Sequence, residues 1–506
     1  MSMPESASLP IPSQQRASTG IAGLDNILGG GLPAHHLYLV EGEPGAGKTT
    51  LGLQFLLAGV ASGESGLYVT LSETADELRT VAASHGWSLD GLTVFELVTA
   101  EGLSPDAEQS ILHPSEVELG ETTRGVMAEV ERSRPTRVVF DSLSEMRLLA
   151  QDPLRYRRQI LALKHFFSHR GCTVLMLDDR SAQAGDLQLH SIAHGVISLS
   201  QTIGEYGDDK RVLRVAKLRG AKFRGGEHDF RLDTGGLAVF PRLIAAEHHT
   251  VFNHRMASTG NTELDVMLGG GLTYGGNMLF AGPSGVGKTT TAVSCLVAAL
   301  KRGENAAYYL FDEGLGTLMT RCKALGLDIE TYIDNGQLRL ISLDPAEVSP
   351  GEFASMVRTS VEQHGVTVLG IDSLNAYLQA MPGSKFLLLQ MHELLTYLNQ
   401  RGIATILVFG QHGLFGERGA DVDLSYLSDA ILQFRFFEAR GSLLKALSVV
   451  KSRTSQHELT IREFRLGHNG FQVGMALTDF EGVMTGIPAY RGRQALLSDG
   501  SSIARA

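Results

Sequence analysis

The strongest constraint on this chain is an internal duplication. Ser18-Thr-Gly-Ile-Ala-Gly-Leu24-Asp25 returns 240 residues later as Ser258-Thr-Gly-Asn-Thr-Glu-Leu264-Asp265. Leu28-Gly-Gly-Gly-Leu32 returns as Leu268-Gly-Gly-Gly-Leu272 at the same spacing, and Gly42-Glu-Pro-Gly45-Ala46-Gly47-Lys48-Thr49 as Gly282-Pro-Ser284-Gly285-Val286-Gly287-Lys288-Thr289. Chance does not hold one register across several motifs, so the chain reads as two copies of one folding unit. The copies span 18–240 and 258–474, joined by a linker at 241–257. Residues 1–17 and 475–506 carry no repeat and are expected to be flexible termini. A length of 506 residues suits two cores rather than one.

Within each copy, short apolar β-branched runs alternate with amphipathic stretches. Strands are expected at His36–Val40, Gly66–Leu71, Arg137–Phe140 and Thr173–Leu177, then at Asn277–Ala281, Ala306–Phe311, Val366–Ile371 and Ala404–Phe409. Helices are expected at Leu51–Ala61 and Thr290–Leu300. Continuous apolar strands separated by helices imply a parallel sheet buried on both faces. Val212–Leu218 and Lys445–Lys451 read as antiparallel additions at the sheet edge. The fold class is α/β: two P-loop domains, each a mainly parallel sheet flanked by helices.

Both glycine-rich runs satisfy G-x-x-x-x-G-K-[ST] between an expected strand and an expected helix. Their glycines let backbone N–H groups face a phosphate, helped by the positive helix N-terminus. Gly42, Gly45, Ala46, Gly47, Lys48, Thr49 and Thr50 are the first candidate ATP site. Gly282, Ser284, Gly285, Val286, Gly287, Lys288, Thr289 and Thr290 are the second. Lys48 and Lys288 would neutralise phosphate, while Thr49 and Thr289 would ligate Mg²⁺. Asp141 and Asp372 each end an apolar strand and are the candidate acidic partners of the metal. Glu73 and Glu313, also 240 residues apart, follow strands whose C-terminal ends share the ligand edge, and are candidates to activate water or a hydroxyl. A solvated loop glutamate is the plainer alternative for each.

The charge balance of −11 makes non-specific nucleic-acid binding a poor expectation. Three cysteines without metal-ligand spacing suit a reducing compartment. Residues 1–16 lack a basic region followed by an apolar run, and no segment suits a bilayer span, so a soluble cytoplasmic protein without membrane contacts is expected.

With these residues assembled, the sequence resembles the KaiC family, tandem RecA-superfamily ATPases and autokinases of the circadian clock and their wider relatives. The resemblance covers nearly all of 18–490. It rests on Ser-Thr-Gly…Leu-Asp…Leu-Gly-Gly-Gly-Leu ahead of each P-loop, Ser84-His-Gly-Trp87, Lys217-Leu218-Arg219-Gly220 and Lys451-Ser452-Arg453. It implies two RecA-like domains and a double-layered homo-hexamer with ATP at each subunit interface. Ser84 would join the first nucleotide site. Lys217, Leu218 and Arg219 would reach the first-domain nucleotide of an adjacent subunit, and Lys451, Ser452 and Arg453 the second. Without the resemblance these cations read equally well as surface charges on an edge strand.

The resemblance also implies autophosphorylation in the second domain. Its serine acceptor falls on Ser425, and its threonine acceptor on Tyr426, so the two-site phosphorylation pattern is broken. Ser425-Tyr-Leu-Ser428 otherwise reads as the lead-in to a strand at Ile431–Phe436. The family's paired catalytic glutamates become Ser72-Glu73 in the first copy and Asp312-Glu313 in the second. Glu73 is therefore expected to support slow hydrolysis, or the first domain only binds nucleotide and holds the ring. Asp312 is the expected base for phosphoryl transfer, supported by Glu313. Three readings follow: an ATP-driven serine autokinase and ATPase signalling as a hexamer, a nucleotide-gated ring scaffold, and a DNA-dependent motor disfavoured by charge. A KaiB-like protein or a response regulator with its histidine kinase is the expected partner class, with 491–506 as a docking tail or a frayed end.

Overall fold

The computed structural model describes residues 15–490 apart from 98–113, 151, 180–186, 204–206, 208, 254, 380–385, 412–424, 440, 468–469 and 486–488. Contacts divide the chain after Arg242 into two units. Each unit holds one nine-stranded sheet. In the first, the strands are β1 (Leu37–Gly42), β2 (Gly66–Thr70), β3 (Leu92–Glu96), β4 (Arg137–Asp141), β5 (Thr173–Asp179), β6 (Gly195–Thr202), β7 (Lys210–Leu218), β8 (Glu227–Asp233) and β9 (Gly236–Phe240). They are ordered 9-8-7-6-1-5-4-2-3. In the second, they are β10 (Asn277–Gly282), β11 (Asn305–Leu310), β12 (Leu338–Ser342), β13 (Val366–Asp372), β14 (Ala404–Gly410), β15 (Ala430–Ala439), β16 (Ser442–Ser452), β17 (Arg462–Gly467) and β18 (Gly470–Ala476). They repeat that order as 18-17-16-15-10-14-13-11-12.

The apolar runs are strands because both faces of the sheet are covered. Tyr38, Val40, Tyr68, Val139 and Leu175 face one core with Leu51 and Phe55 of the helix Lys48–Ala61. Leu37, Leu39, Val69, Val138 and Val174 face the other with Tyr156, Ile160, Leu163 and Phe167 of the helix Pro153–His169. Successive residues serve opposite cores, as a period of two requires. The helix spacings of three and four put one apolar stripe on the sheet. Among the described residues, no helix is long and apolar enough to cross a membrane.

Three expectations change. The segments around Val212–Leu218 and Lys445–Lys451 are antiparallel strands, β7 and β16, but neither is an edge. Two further antiparallel strands lie outside each of them. The linker is part of the second unit: Leu243 and Ala245 are buried in its core, and Phe252 fills the space above Gly275 and Gly402, where a Cβ would come within 2.4 and 2.6 Å of its ring. The termini are built in further than expected. Arg16–Ala17 pairs with Leu32–Pro33, and the Arg16 guanidinium donates to the carbonyls of Leu28 and Gly31 at 2.8 Å. Leu477 and Val483 bury themselves against Phe437 and Ala446, because a tail with apolar side chains is stabilised by covering them. Residues 491–506, including Arg491 and Arg493, lie outside the described residues.

Candidate nucleotide sites

Each P-loop joins the C-terminal end of the central strand to a helix whose N-cap is glycine in the left-handed region, Gly47 at φ 94° and Gly287 at φ 117°. A side chain there would be strained, and a Cβ on Gly47 would press within 3.1 Å of Leu232. Ala46 and Val286 are fully buried beneath the loops and anchor them to the core. Lys48 Nζ donates to the carbonyls of Gly42 and Glu43 at 3.0 and 2.8 Å. Lys288 Nζ donates to those of Gly282 and Pro283, both at 2.8 Å. Both ammonium groups are nearly buried, and burial pulls the Lys288 amine down to about 8.

The metal candidates converge in both domains. Thr49 Oγ1 lies 3.1 Å from Asp141 Oδ2, which also accepts from Tyr68 at 2.5 Å. Asp372 accepts from Thr289 and, at 2.8 Å, from Tyr308. Burial raises both carboxyls above the ordinary range, with the tyrosine and threonine hydroxyls opposing it. A hydroxyl and a carboxylate are the hard oxygen donors that Mg²⁺ takes alongside phosphate, so the residues fit that ion. Among the described residues, no group of three or more acidic, His or Cys side chains forms a self-sufficient metal cage.

The remaining carboxylates differ between the domains. Glu73 is fixed by a turn in which its N–H donates to Thr70 Oγ1 at 2.9 Å, and Thr74 then caps the next helix with a capping box to Glu77. Among the described residues, Glu73 Oε2 is buried with no hydrogen-bond partner. Burial first, then the Asp141 charge, raises its pKa. In the second domain Gly314 stands at the cap without a side-chain bond. Asp312 is exposed and accepts from Ser373, whereas Glu313 is paired to Arg321 at 2.6 Å. One cleft brings together Ser284, Gly285, Gly287, Lys288, Thr289, Thr290, Asp312, Glu313 and Asp372. Gly282 ends the strand feeding that loop.

The other candidates lie elsewhere. Gly42 pairs with Leu199 on β6, but Lys217 pairs with Val196, three residues back along that strand. Lys217 Nζ donates to the carbonyls of His190 and Ala193, and Arg219 to that of Ser191. These cations therefore sit at the N-terminal end of the parallel strands, roughly 10 Å down the ladder from their own P-loop. Leu218 is buried in the core. Lys451 and Arg453 repeat this placement beside Ser428 and Asp429, and Ser452 Oγ bonds Ser455 Oγ at 3.0 Å. Ser425 and Tyr426 form a short 3₁₀ turn just ahead of β15, at the same end, with Tyr426 46% exposed. Ser84 bonds its own helix at Val81; its neighbour His85 is the residue that reaches the P-loop helix, at Thr50.

Two site residues escaped the sequence reading. Arg321 lies eight residues beyond Glu313, about two helical turns, and that spacing was the available signal. Asp179 ends β5 and pairs with Lys48 at 2.7 Å. Asp178-Asp179 closes an apolar run just as Asp141 does, so an acid at a strand end was the clue.

A mainly parallel sheet with a phosphate loop, and a hydroxyl set against a strand-end aspartate in each half, defines a tandem P-loop nucleotide triphosphatase of RecA type. The family model described as "ATPase: KaiC" matches residues 17–244 and 257–478. This chain belongs to the KaiC ATPase family. It is 27% identical over 479 residues to the "Circadian clock oscillator protein KaiC" of Parasynechococcus marenigrum, covering 94% of this chain and 93% of that protein. It is 25% identical over 487 residues to the "Circadian clock protein KaiC3" of Synechocystis sp., covering 94% and 95%, and 26% identical over 491 residues to KaiC of Parathermosynechococcus lividus, covering 94% and 88%.

Proposed function

We propose that both domains bind Mg-ATP at interfaces between copies of the chain arranged as a homo-hexamer, and that the second domain phosphorylates Ser425 of a neighbouring copy. The observation carrying this reading is the placement of Lys217, Arg219, Lys451, Arg453 and Ser425 at the end of each sheet opposite its own P-loop. A subunit cannot use these groups on its own nucleotide, but a head-to-tail neighbour can, and a closed ring supplies every site. Lys48 and Lys288 hold the phosphates, and Thr49 with Asp141 and Thr289 with Asp372 hold Mg²⁺, which when bound neutralises phosphate charge.

In the second domain Asp312 accepts the proton of the attacking serine hydroxyl while the γ-phosphoryl moves to its oxygen and ADP leaves. In the first, Glu73 takes a proton from water, at a slow rate because Ser72 supplies no second carboxylate. A second reading, favoured by Ser72, makes the first domain a nucleotide-gated ring scaffold with little turnover. The relatives' names motivate a timing role; the proposal adds a cytoplasmic setting and a KaiB-like or response-regulator and histidine-kinase partner, and nucleic acid is not expected to take part.

The test mixes two variants with γ-labelled ATP. Lys288→Ala keeps Ser425 but lacks a working second P-loop, and Ser425→Ala has the reverse. Label is expected on the Lys288→Ala chain only when both are present. Label on neither chain, or on Ser425→Ala alone, would overturn the assignment.

A further inference from the structure

The two P-loop lysines are not equivalent. Lys48 spends all three ammonium protons within the protein: on the carbonyls of Gly42 and Glu43, and on the carboxylate of Asp179 at 2.7 Å. Lys288 spends two on Gly282 and Pro283, and among the described residues nothing accepts the third. The difference comes from sheet position. Asp179 pairs with Gly42 at the end of β5, and the residue paired with Gly282 at the end of β14 is Gly410. Asp179 is itself held from the other side, where Ser144 donates to Oδ2 at 3.1 Å. In the second domain the corresponding Asn375 bonds the Gly410 backbone instead.

We propose that Asp179 is an anionic latch on Lys48 that stands in for the nucleotide γ-phosphate, making the first site discriminate against triphosphate in a way the second does not. The inference rests on the first P-loop binding ATP. A triphosphate entering this loop must take the third N–H of Lys48, and so break the bond to Asp179. It then leaves that carboxylate facing the anion it admitted. A diphosphate brings less negative charge to the same place and pays a smaller penalty. The second site, with Gly410, lacks the competing bond and the carboxylate that makes it, and its own Asp312 makes no bond to Lys288 but accepts from Ser373. The first site is thereby tuned to hold ADP relative to ATP, and Asp179 is a specificity-determining residue rather than a base.

The experiment measures binding of labelled ATP and ADP, with Mg²⁺, to the full-length chain carrying Lys288→Ala, so that only the first site is counted. The single tryptophan, Trp87, lies against His85 with the rings tilted by 37° and their centroids 4.9 Å apart, and gives a parallel optical readout on this domain. Asp179→Asn is isosteric; it removes the charge and replaces one acceptor oxygen with an NH2 donor. It is expected to tighten ATP binding by about threefold to tenfold, the worth of a partly exposed charge-assisted hydrogen bond, and to tighten ADP less. The reverse transplant, Gly410→Asp in a Lys48→Ala chain, is expected to weaken ATP at the second site by a similar factor. A Cβ there would lie 3.4 Å from Asn375 Oδ1, so the space exists.

ATP affinity unchanged or weakened by Asp179→Asn overturns the latch; weakening would make Asp179 a phosphate- or metal-positioning group. Failure of both the Lys288→Ala chain and its Asp179→Asn derivative to bind ATP overturns the first domain as a nucleotide site and the latch with it. Binding by the derivative alone supports the latch.

Discussion

Arg321 holds Glu313 at 2.6 Å, and the glutamate at the equivalent place in the first domain, Glu73, has instead a buried carboxylate oxygen with no hydrogen-bond partner among the described residues. The same residue type at the same point of a duplicated fold thus meets two environments. Glu313 is neutralised by a cation beside the exposed Asp312. Glu73 faces the carboxylates of Asp141 and Glu77, with its pKa raised by burial first and then by those charges.

Glu73 can act as a base only when ionised, and its folded-state pKa lies above the ordinary glutamate value of 4.5. In a Lys288→Ala chain, phosphate release by the first domain should therefore fall on acidification along a limb displaced above that value. A pH profile of kcat/KM checks this. A limb at or below the ordinary value would remove Glu73 from the role.

Freeing Glu313 should redirect the second site. Arg321→Ala is expected to cost at most about 1 kcal/mol of stability, because the pair is partly exposed. It leaves a second carboxylate beside Asp312 able to activate water. The ratio of released phosphate to protein-bound phosphate should rise in a Lys48→Ala background, measured with γ-labelled ATP. An unchanged ratio would confine Glu313 to a structural part.

Cations acting between copies predict complementation. Lys48→Ala chains and Lys217→Ala/Arg219→Ala chains should each lack first-domain hydrolysis when assembled alone. Mixed in equal amounts, in a Lys288→Ala background, they should regain activity at about a quarter of the sites, since each working site needs one chain of each kind in the right order. Activity that stays absent on mixing would return Lys217 and Arg219 to the status of surface charges.

The two buried strand-end aspartates carry a stability cost. Burial raises the pKa of Asp141 and Asp372, so the native state holds those protons more tightly than the unfolded chain. Their contribution is favourable below the ordinary value of 3.8 and is lost as pH rises through the raised folded value. At neutral pH, Asp141→Asn or Asp372→Asn should raise the melting midpoint of the nucleotide-free domain by about 2 °C or more. The same change should lower phosphoryl transfer at that site by about 100-fold or more. A lowered midpoint without nucleotide would contradict the burial argument.

The linker's anchor can be tested alone. Phe252→Ala empties the space over Gly275 and Gly402 and should destabilise the second domain by about 1–2 kcal/mol, with the first domain's transition unmoved. Denaturant unfolding followed by second-domain nucleotide binding measures it.

Sequence alone determined what is built from contiguous backbone. A phosphate nest needs glycines, a lysine and a hydroxyl at set spacings, so Gly42–Thr49 and Gly282–Thr289 were legible, as were the strands that lead into them. Asp141 and Asp372 were legible because an acid closing an apolar strand lies at the ligand edge of any such sheet. Tertiary structure alone decided how the copies differ. Asp179 reaches Lys48 because β5 lies beside β1 in the sheet order, 131 residues away in the chain. Arg321 meets Glu313 along the one helix that follows it, about two turns on, so that pair is the exception that local spacing records. The antiparallel wing beyond β7 and β16, and the burial of Leu243, Val483 and Leu477, depend on which apolar faces remain uncovered once the sheets have formed. Local spacing carries no record of strand order or of residual exposed surface, and these set the charge around each lysine.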